Sequence, residues 1–169
     1  MFGLVGLMPD YAMIIVGANM GVSRMTREHL GISLALKVPI FFVITKIDIS
    51  PPAVYEETLN TLVKILKSTQ VAKTPMLVGP NDDVTVLAKS LPSLKMCPVF
   101  SVSNVTGEGL PKLKEFLSLL ESRVSTSGHF GKIDDPVEFY IDGIYMVTGV
   151  GIVVAGTLLA GTVKPGLAL

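Results

Sequence analysis

Thr45-Lys46-Ile47-Asp48 places a lysine and a carboxylate directly after the apolar run from Val38 to Ile44. Such a run is typical of a buried strand, and open α/β sheets bind ligands in the crevice beyond the carboxyl ends of their strands. A carboxylate there can accept two parallel N–H bonds, which suits the N1–H and 2-amino group of guanine and does not suit adenine. The alternative interpretation is an ordinary polar turn between a strand and a helix.

Lys46 offers a second contact with the base. Its methylene stem can lie along the flat face of a base while the ammonium group stays in water. The tetrapeptide therefore favours a guanine-binding loop, provided that the surrounding elements supply the rest of the site.

A second loop, from Ser103 to Gly109, follows the apolar run from Met96 to Val102. Backbone N–H groups at such a strand-to-helix turn can donate to a carbonyl such as guanine O6. The plainer alternative is a connecting loop in which Thr106 caps the next helix, and both can hold. Together the two loops offer a pair of acceptors and a donor, which matches the polarity of the guanine edge.

Strands and helices alternate around these loops. Strands are expected at residues 11–16, 40–44 and 96–102, where short apolar runs end in polar or glycine residues. This alternation predicts a parallel sheet with crossover helices. Residues 68–95, which contain Gly79-Pro80-Asn81-Asp82-Asp83, are expected to form an irregular insert.

Three helices are expected to connect the strands. Thr26 is predicted as the N-cap of the first helix. The second is predicted to begin with Ser50 as cap and Pro51 as its first helical residue. Leu113 and Phe116 mark the buried face of the third helix.

The helical period disappears after the third helix. We expect residues 1–124 to form one α/β domain, residues 125–135 to be a linker, and residues 136–169 to begin an all-β domain of short strands. So few strands cannot close a barrel or cover their own edges. The chain is therefore interpreted as a truncated piece of a longer protein.

Composition excludes several classes of function. The 169 residues carry 14 Lys and Arg against 14 Asp and Glu, so the chain has no nucleic-acid signature and no polybasic membrane patch. The single cysteine, Cys97, fits a reducing compartment, and we expect it to be a small buried side chain. His29 and His129 stand alone, so no metal site is expected.

The uncharged stretch from Gly143 to Val163 is long enough to span a bilayer. Glycines interrupt it every few residues, and the pieces between them are rich in β-branched side chains. We therefore expect short strands with glycine bends and no membrane association, with a membrane span as the alternative.

Several segments resemble one family. Thr45-Lys46-Ile47-Asp48 resembles the guanine-specificity motif of GTPases, with threonine in place of the commoner asparagine, and Ser103 to Leu110 is similar to their last base-contacting loop. The segment Thr26 to Leu30 resembles a helix start of elongation factor Tu, and Val147 to Gly156 resembles the start of its β-barrel domain. The insert around Asn81 looks most like that of the GTP-binding protein 1 and 2 branch.

The chain is accordingly identified as a member of the translational GTPases of the elongation factor Tu/1A class. The resemblance implies an α/β fold that is the C-terminal half of a P-loop-type GTPase domain (a parallel sheet with crossover helices), followed by the start of an all-β barrel domain. It implies GTP or GDP as ligand, work on ribosomes or aminoacyl-tRNA, and a cytoplasmic location.

The resemblance also assigns roles at the site. Asp48 would hold guanine N1 and N2, Lys46 would cover the base, and Thr45 would brace the loop. Threonine lacks the carboxamide that normally ties this loop to the phosphate-binding loop. Ser103 would position the second loop, with the N–H of Asn104 directed toward O6. The residues carried over are Thr45, Lys46, Asp48, Ser103, Asn104 and Val105.

Phosphoryl transfer needs a phosphate loop of the form Gly-x-x-x-x-Gly-Lys-Ser/Thr, which does not occur in this sequence. We therefore expect guanine recognition without a phosphate or Mg²⁺ site, no catalytic residue, and no hydrolysis by the isolated chain. The full-length protein is expected to hydrolyse GTP with Mg²⁺. The alternative is a non-catalytic interaction module derived from a degenerate GTPase domain.

Overall fold

A computed structural model describes residues 9–122 and 131–166 of the chain. These residues fall into two compact units, one spanning Pro9–Glu121 and the other beginning at Ser122. Residues 125–130 of the predicted linker, His129 among them, lie outside the described residues. Each unit is described by itself.

The first unit is built on a four-stranded parallel sheet in the order β1-β2-β4-β3. The strands are β1 (Ala12–Gly17), β2 (Ile40–Thr45), β3 (Thr74–Val78) and β4 (Met96–Ser101). Ile44 of β2 lies opposite Ser101 of β4, so these two strands end side by side. The sheet confirms the predicted parallel architecture and adds a strand, β3, at one edge.

Four helices connect or follow these strands: α1 (Arg24–Ala35), α2 (Pro52–Lys67), α3 (Val84–Ser90) and α4 (Leu110–Ser118). One face of the sheet packs against α3 and α4 around three aromatic rings, with the Phe100 and Phe116 centroids 4.9 Å apart and those of Phe41 and Phe116 5.2 Å apart. Ile40, Phe42 and Ile44 alternate onto the opposite face and are fully buried. Since parallel crossovers are right-handed, α1 and α2 cover that second face.

Two predicted helix starts are wrong. The N-cap of α1 is Ser23, whose Oγ accepts the Thr26 N–H at 3.2 Å, while Thr26 itself is buried inside the helix. The N-cap of α2 is Pro51 and its first helical residue is Pro52. The residue before a proline is disfavoured in the α region, so Pro51 stays extended and the helix begins one residue later than predicted.

The insert predicted to be irregular contains regular structure. It supplies β3, helix α3 and a single 3₁₀ turn, Leu91–Ser93. Pro75 is tolerated within β3 because this strand lies at the edge of the sheet, where a missing N–H can be accommodated. Asp83, which the sequence placed in a loop, caps α3 by accepting the Thr85 N–H at 2.8 Å.

The second unit contains an antiparallel pair, β5 (Glu138–Val147) and β6 (Gly151–Ala160). These are two strands of ten residues each, not the short strands expected, and β5 continues through a register shift between Ile141 and Gly143. Gly156 lies within β6, and a Cβ there would stand 2.0 Å from the Tyr140 carbonyl oxygen, so the strands approach too closely for a side chain. This pair fits the predicted all-β start.

No helix in the described ranges is long and apolar enough to cross a membrane.

Cys97 is fully buried in β4, and burial raises the pKa of its thiol to about 12. Lys73 lies beside it with its pKa lowered, mainly by burial, and its Nζ donates to the Leu94 carbonyl oxygen. An unfolded thiol ionises at about pH 8.5, whereas the folded thiol keeps its proton until about pH 12. The buried thiol therefore contributes its full share to the stability of the folded state below about pH 8.5, and this contribution is lost as the pH rises toward 12.

We expect Cys97 to react with a thiol reagent at pH 8 at least about 100-fold more slowly in the folded chain than in denaturant, because the thiolate is the reactive form. The measurement is the rate of absorbance change on disulfide exchange with an aromatic disulfide. Cys97→Ala, which removes the single cysteine, is the control and must give no signal. Equal rates in the folded and unfolded chain would contradict the burial of this side chain.

Candidate guanine-binding site

The two loops predicted to bind guanine begin at the adjacent ends of β2 and β4. The chain leaves β2 toward α2 on one face of the sheet and leaves β4 toward α4 on the other face. Neighbouring strands whose connections diverge in this way form a topological switch point, and the crevice there is where open α/β sheets bind ligands. The two loops therefore lie where a ligand site is expected in a sheet of this kind.

A direct hydrogen bond joins the loops. Ser103 Oγ donates to Asp48 Oδ1 at 2.6 Å, across 55 residues of sequence. Ser103 is fully buried, whereas Asp48, just beyond the carboxyl end of β2, is exposed. One carboxylate oxygen is thereby anchored to the second loop, and the orientation of the whole carboxylate is restricted.

Ser103 also organises its own loop. Its Oγ accepts the N–H groups of Val105 and Thr106 at 3.2 and 3.1 Å, and its carbonyl oxygen accepts the Gly107 N–H at 3.0 Å. Asn104 and Val105 are exposed at the tip. Within the part of the chain that the structure describes, no acceptor takes the Asn104 N–H. A donor at the tip is thus free to meet a carbonyl.

Thr106 does not cap the next helix, contrary to the alternative prediction. Helix α4 begins at Leu110 with Gly109 as its N-cap, and Thr106 Oγ1 instead accepts the Glu108 N–H at 3.3 Å. Gly109 has a left-handed backbone, φ 71°, and a Cβ at this position would stand 2.0 Å from the Ser101 carbonyl oxygen. Sequence reasoning missed Gly109; the Gly-Glu-Gly spacing before the helix is the signal that points to it.

Lys46 has a left-handed backbone with φ 62°, which is uncommon for a residue with a side chain. It is exposed and immediately follows β2. Strained backbone conformations of this kind concentrate at ligand-binding sites. The turn sends the chain from the strand end toward Asp48 and leaves the lysine side chain in solvent.

Thr45 is the last residue of β2, and its carbonyl oxygen accepts the Ala18 N–H at 2.8 Å. The Ala18 carbonyl oxygen in turn accepts a hydrogen bond from Thr58 Oγ1 of α2 at 3.1 Å. Thr45 is therefore tied through its backbone to the end of β1. Of the six residues predicted for the site, Thr45 ends β2 and the other five lie in the two loops.

A Mg²⁺ ion requires several oxygen ligands in octahedral geometry, usually one or two carboxylates together with water and phosphate. In residues 9–122 and 131–166, no three His, Cys, Asp or Glu side chains are grouped closely enough to hold a metal ion. Asp48 is the one carboxylate among the residues predicted for the site, and it accepts a hydrogen bond from Ser103. The described residues thus do not fit Mg²⁺, and we derive no chemical step through it.

The fold is that of a GTPase domain, and comparison with known families agrees. The family model described as the elongation factor Tu GTP-binding domain matches residues 5–125. The chain belongs to this family of translational GTPases.

Relatives of known sequence and structure are similar over nearly the whole chain. GTP-binding protein 1 of Xenopus laevis is 50% identical over 163 residues, which is 96% of this chain and 24% of that protein. GTP-binding protein 2 of Homo sapiens is 42% identical over 166 residues, covering 98% of this chain and 28% of that protein. The chain thus spans about a quarter of the length of these relatives.

A solved structure supports the fold. The apo form of translation elongation factor SelB from Methanococcus maripaludis superimposes with a TM-score of 0.63 at 25% identity. The match covers 92% of this chain and 28% of that one. The predicted fold class, a GTPase-type parallel sheet followed by antiparallel strands, is confirmed.

Proposed function

We propose that this chain supplies guanine recognition in a GTP-binding, GTP-hydrolysing protein related to translation factors. The observation that carries the proposal is the 2.6 Å hydrogen bond from Ser103 to Asp48, which joins two loops at the switch point of the sheet. The family supports guanine nucleotide as the ligand.

The base is recognised by complementary donors and acceptors. The Asp48 carboxylate accepts the N1–H and the 2-amino N–H of guanine, since the hydrogen bond from Ser103 leaves acceptor capacity on both oxygens. The N–H of Asn104, at the exposed tip of the second loop, donates to O6. Adenine carries an acceptor at N1 and a donor at its 6-amino group, so it meets each of these groups with the wrong polarity.

Lys46 and Thr45 support this contact. The Lys46 stem lies over one face of the base and excludes water from it, while the ammonium stays hydrated. Thr45 holds the start of the loop against β1 through its backbone carbonyl. A threonine side chain lacks the carboxamide of asparagine, so the selectivity for the base is retained while this link to a phosphate loop is absent.

Phosphate binding, Mg²⁺ and hydrolysis belong to the whole protein in this proposal. A phosphate loop and a metal ion stabilise the negative charge on the phosphoryl group during its transfer. Neither comes from the described residues. The name of the similar solved structure, translation elongation factor SelB, supports a role for the whole protein in elongation of translation. Ribosomes or aminoacyl-tRNA are therefore the proposed partners, and the cytoplasm is the proposed location.

The base-recognition proposal is tested by ¹⁵N NMR titration of the 169-residue chain with guanosine and with adenosine. Without phosphate contacts, we expect weak binding, with a dissociation constant on the order of 1–10 mM, because only a few hydrogen bonds and one stacked face contribute. Guanosine should shift the amides of the Asp48 loop and of Asn104 and Val105. Equal shifts with adenosine, or guanosine shifts confined to other residues, would exclude this site.

Hydrolysis is tested separately on the whole protein by single-turnover release of phosphate from GTP. Release that depends on Mg²⁺ is the expected result. Tight GTP binding without any release would favour the non-catalytic interaction module and would leave the base-recognition result standing.

A further inference from the structure

A second side-chain hydrogen bond crosses from α2 to β4 close to the site. The Tyr55 hydroxyl and Ser101 Oγ lie 2.8 Å apart, in a partly buried position, across 46 residues of sequence. Both groups are hydroxyls, so either oxygen can be the donor in this hydrogen bond. Neither residue belongs to the loops that contact the base.

The positions of these two residues connect the guanine loops. Tyr55 lies in the first turn of α2, directly after the loop that carries Asp48. Ser101 is the last residue of β4, two residues before Ser103. The hydroxyl pair therefore joins the far end of the Asp48 loop to the near end of the Ser103 loop.

The start of α2 depends on such contacts because it lacks a local cap. Its N-cap, Pro51, makes no side-chain capping hydrogen bond, and Ser50 Oγ is buried without a partner among the described residues. Tyr55 and Thr58 lie on one face of the helix, and each hydroxyl bonds to the end of a strand. The helix start is thus held by the sheet and not by its own sequence.

We propose that the Tyr55–Ser101 hydroxyl pair is a positioning element that sets the distance between the Asp48 carboxylate and the Asn104 N–H of the second loop. Guanine engages both loops at once, so its affinity depends on that distance. The Ser103–Asp48 bond orients the carboxylate. The hydroxyl pair fixes the position of α2, the helix that directly follows the Asp48 loop. This inference rests on the proposed base site.

Removal of the hydroxyl is compatible with folding. Tyr55 and Ser101 line a cavity of about 400 Å³, together with Glu108 and Lys112, so water can reach the freed partner. Tyr55→Phe keeps the ring and removes one oxygen. Tyr11→Phe is a matched control, because the Tyr11 hydroxyl also donates a 2.8 Å bond, to the Glu121 carbonyl oxygen, in the same unit and away from both loops.

The test compares guanosine with inosine, which lacks the 2-amino group and therefore makes one fewer bond to Asp48. In NMR titrations of the 169-residue chain, Tyr55→Phe should weaken guanosine about 3- to 10-fold and inosine less than about 2-fold, because a displaced carboxylate loses the paired contact first. Ser101→Ala should reproduce this change in the ratio. The double variant should add little to either single change, since both remove the same bond.

Tyr11→Phe should leave the ratio of the two affinities unchanged. An equal loss for guanosine and inosine in Tyr55→Phe, which leaves the ratio of the two affinities unchanged, would overturn the positioning role and would mean that the pair only stabilises the fold. If the unaltered chain shows no guanosine binding in either loop, the base site itself is refuted. The two failures are thus distinguishable.

Discussion

Asp48→Asn is expected to change the base preference of the whole protein from guanine to xanthine. Asparagine presents one acceptor and one NH₂ donor where aspartate presents two acceptors. The donor opposes the 2-amino group of guanine, whereas xanthine has a carbonyl at that position and keeps its N1–H. The Ser103 hydroxyl can still donate to the remaining oxygen at position 48, so the loop retains its anchor.

The expected loss for GDP is about 2–3 kcal/mol, or roughly 30- to 150-fold in affinity, the scale of a charged hydrogen bond replaced by an unpaired donor. Xanthosine diphosphate should gain relative to GDP by a similar factor. Competition titrations with the two nucleotides measure both values. Asp82→Asn, an exposed carboxylate in the loop after β3, is the control and should leave the preference unchanged. An unaltered preference in Asp48→Asn would remove Asp48 from the base site.

Gly109→Ala is expected to destabilise the first unit by about 3–5 kcal/mol, which is the range reached when a new atom overlaps fixed backbone. Two penalties act together. The φ of 71° is strained for any residue with a Cβ, and that Cβ would stand 2.0 Å from the Ser101 carbonyl oxygen. Because Ser101 lies in the sheet, the loop from Ser103 to Gly109 must move, and guanine binding should be lost with it.

Gly107→Ala is the matched control in the same loop. Gly107 also has a positive φ, 82°, but nothing lies within 4 Å of a Cβ placed there. Its cost should be only about 1 kcal/mol, from backbone strain alone. Denaturant unfolding of both variants measures the difference. Similar free energies of unfolding for the two would show that the close approach at Gly109 does not constrain the loop.

Much of the fold follows from local patterns. The strands near Ala12, Ile40 and Met96 are short apolar runs, and the structure places strands at each of them. Leu113 and Phe116, predicted as the buried face of the third helix, are both buried. These elements were predictable because periodic burial is a property of neighbouring residues.

Other features depended on residues far away in sequence. The strand at Thr74–Val78 is marked by only five residues and contains a proline, so no local pattern distinguishes it from a loop. It forms because β4 offers a free edge beside it. The start of α2 similarly follows from the order of two prolines and from hydroxyl contacts with β1 and β4, and not from a serine cap.

The amino-acid sequence by itself determined the polarity offered to a base: a carboxylate, a lysine and a row of backbone N–H groups, each directly after an apolar run. Donor and acceptor identity is a property of single side chains and short loops, so it needs no fold to be recognised. Only the tertiary structure decided that β4, and not the intervening β3, lies beside β2. Strand order is set by long-range packing on both faces of the sheet, and that order is what brings Ser103 to within 2.6 Å of Asp48.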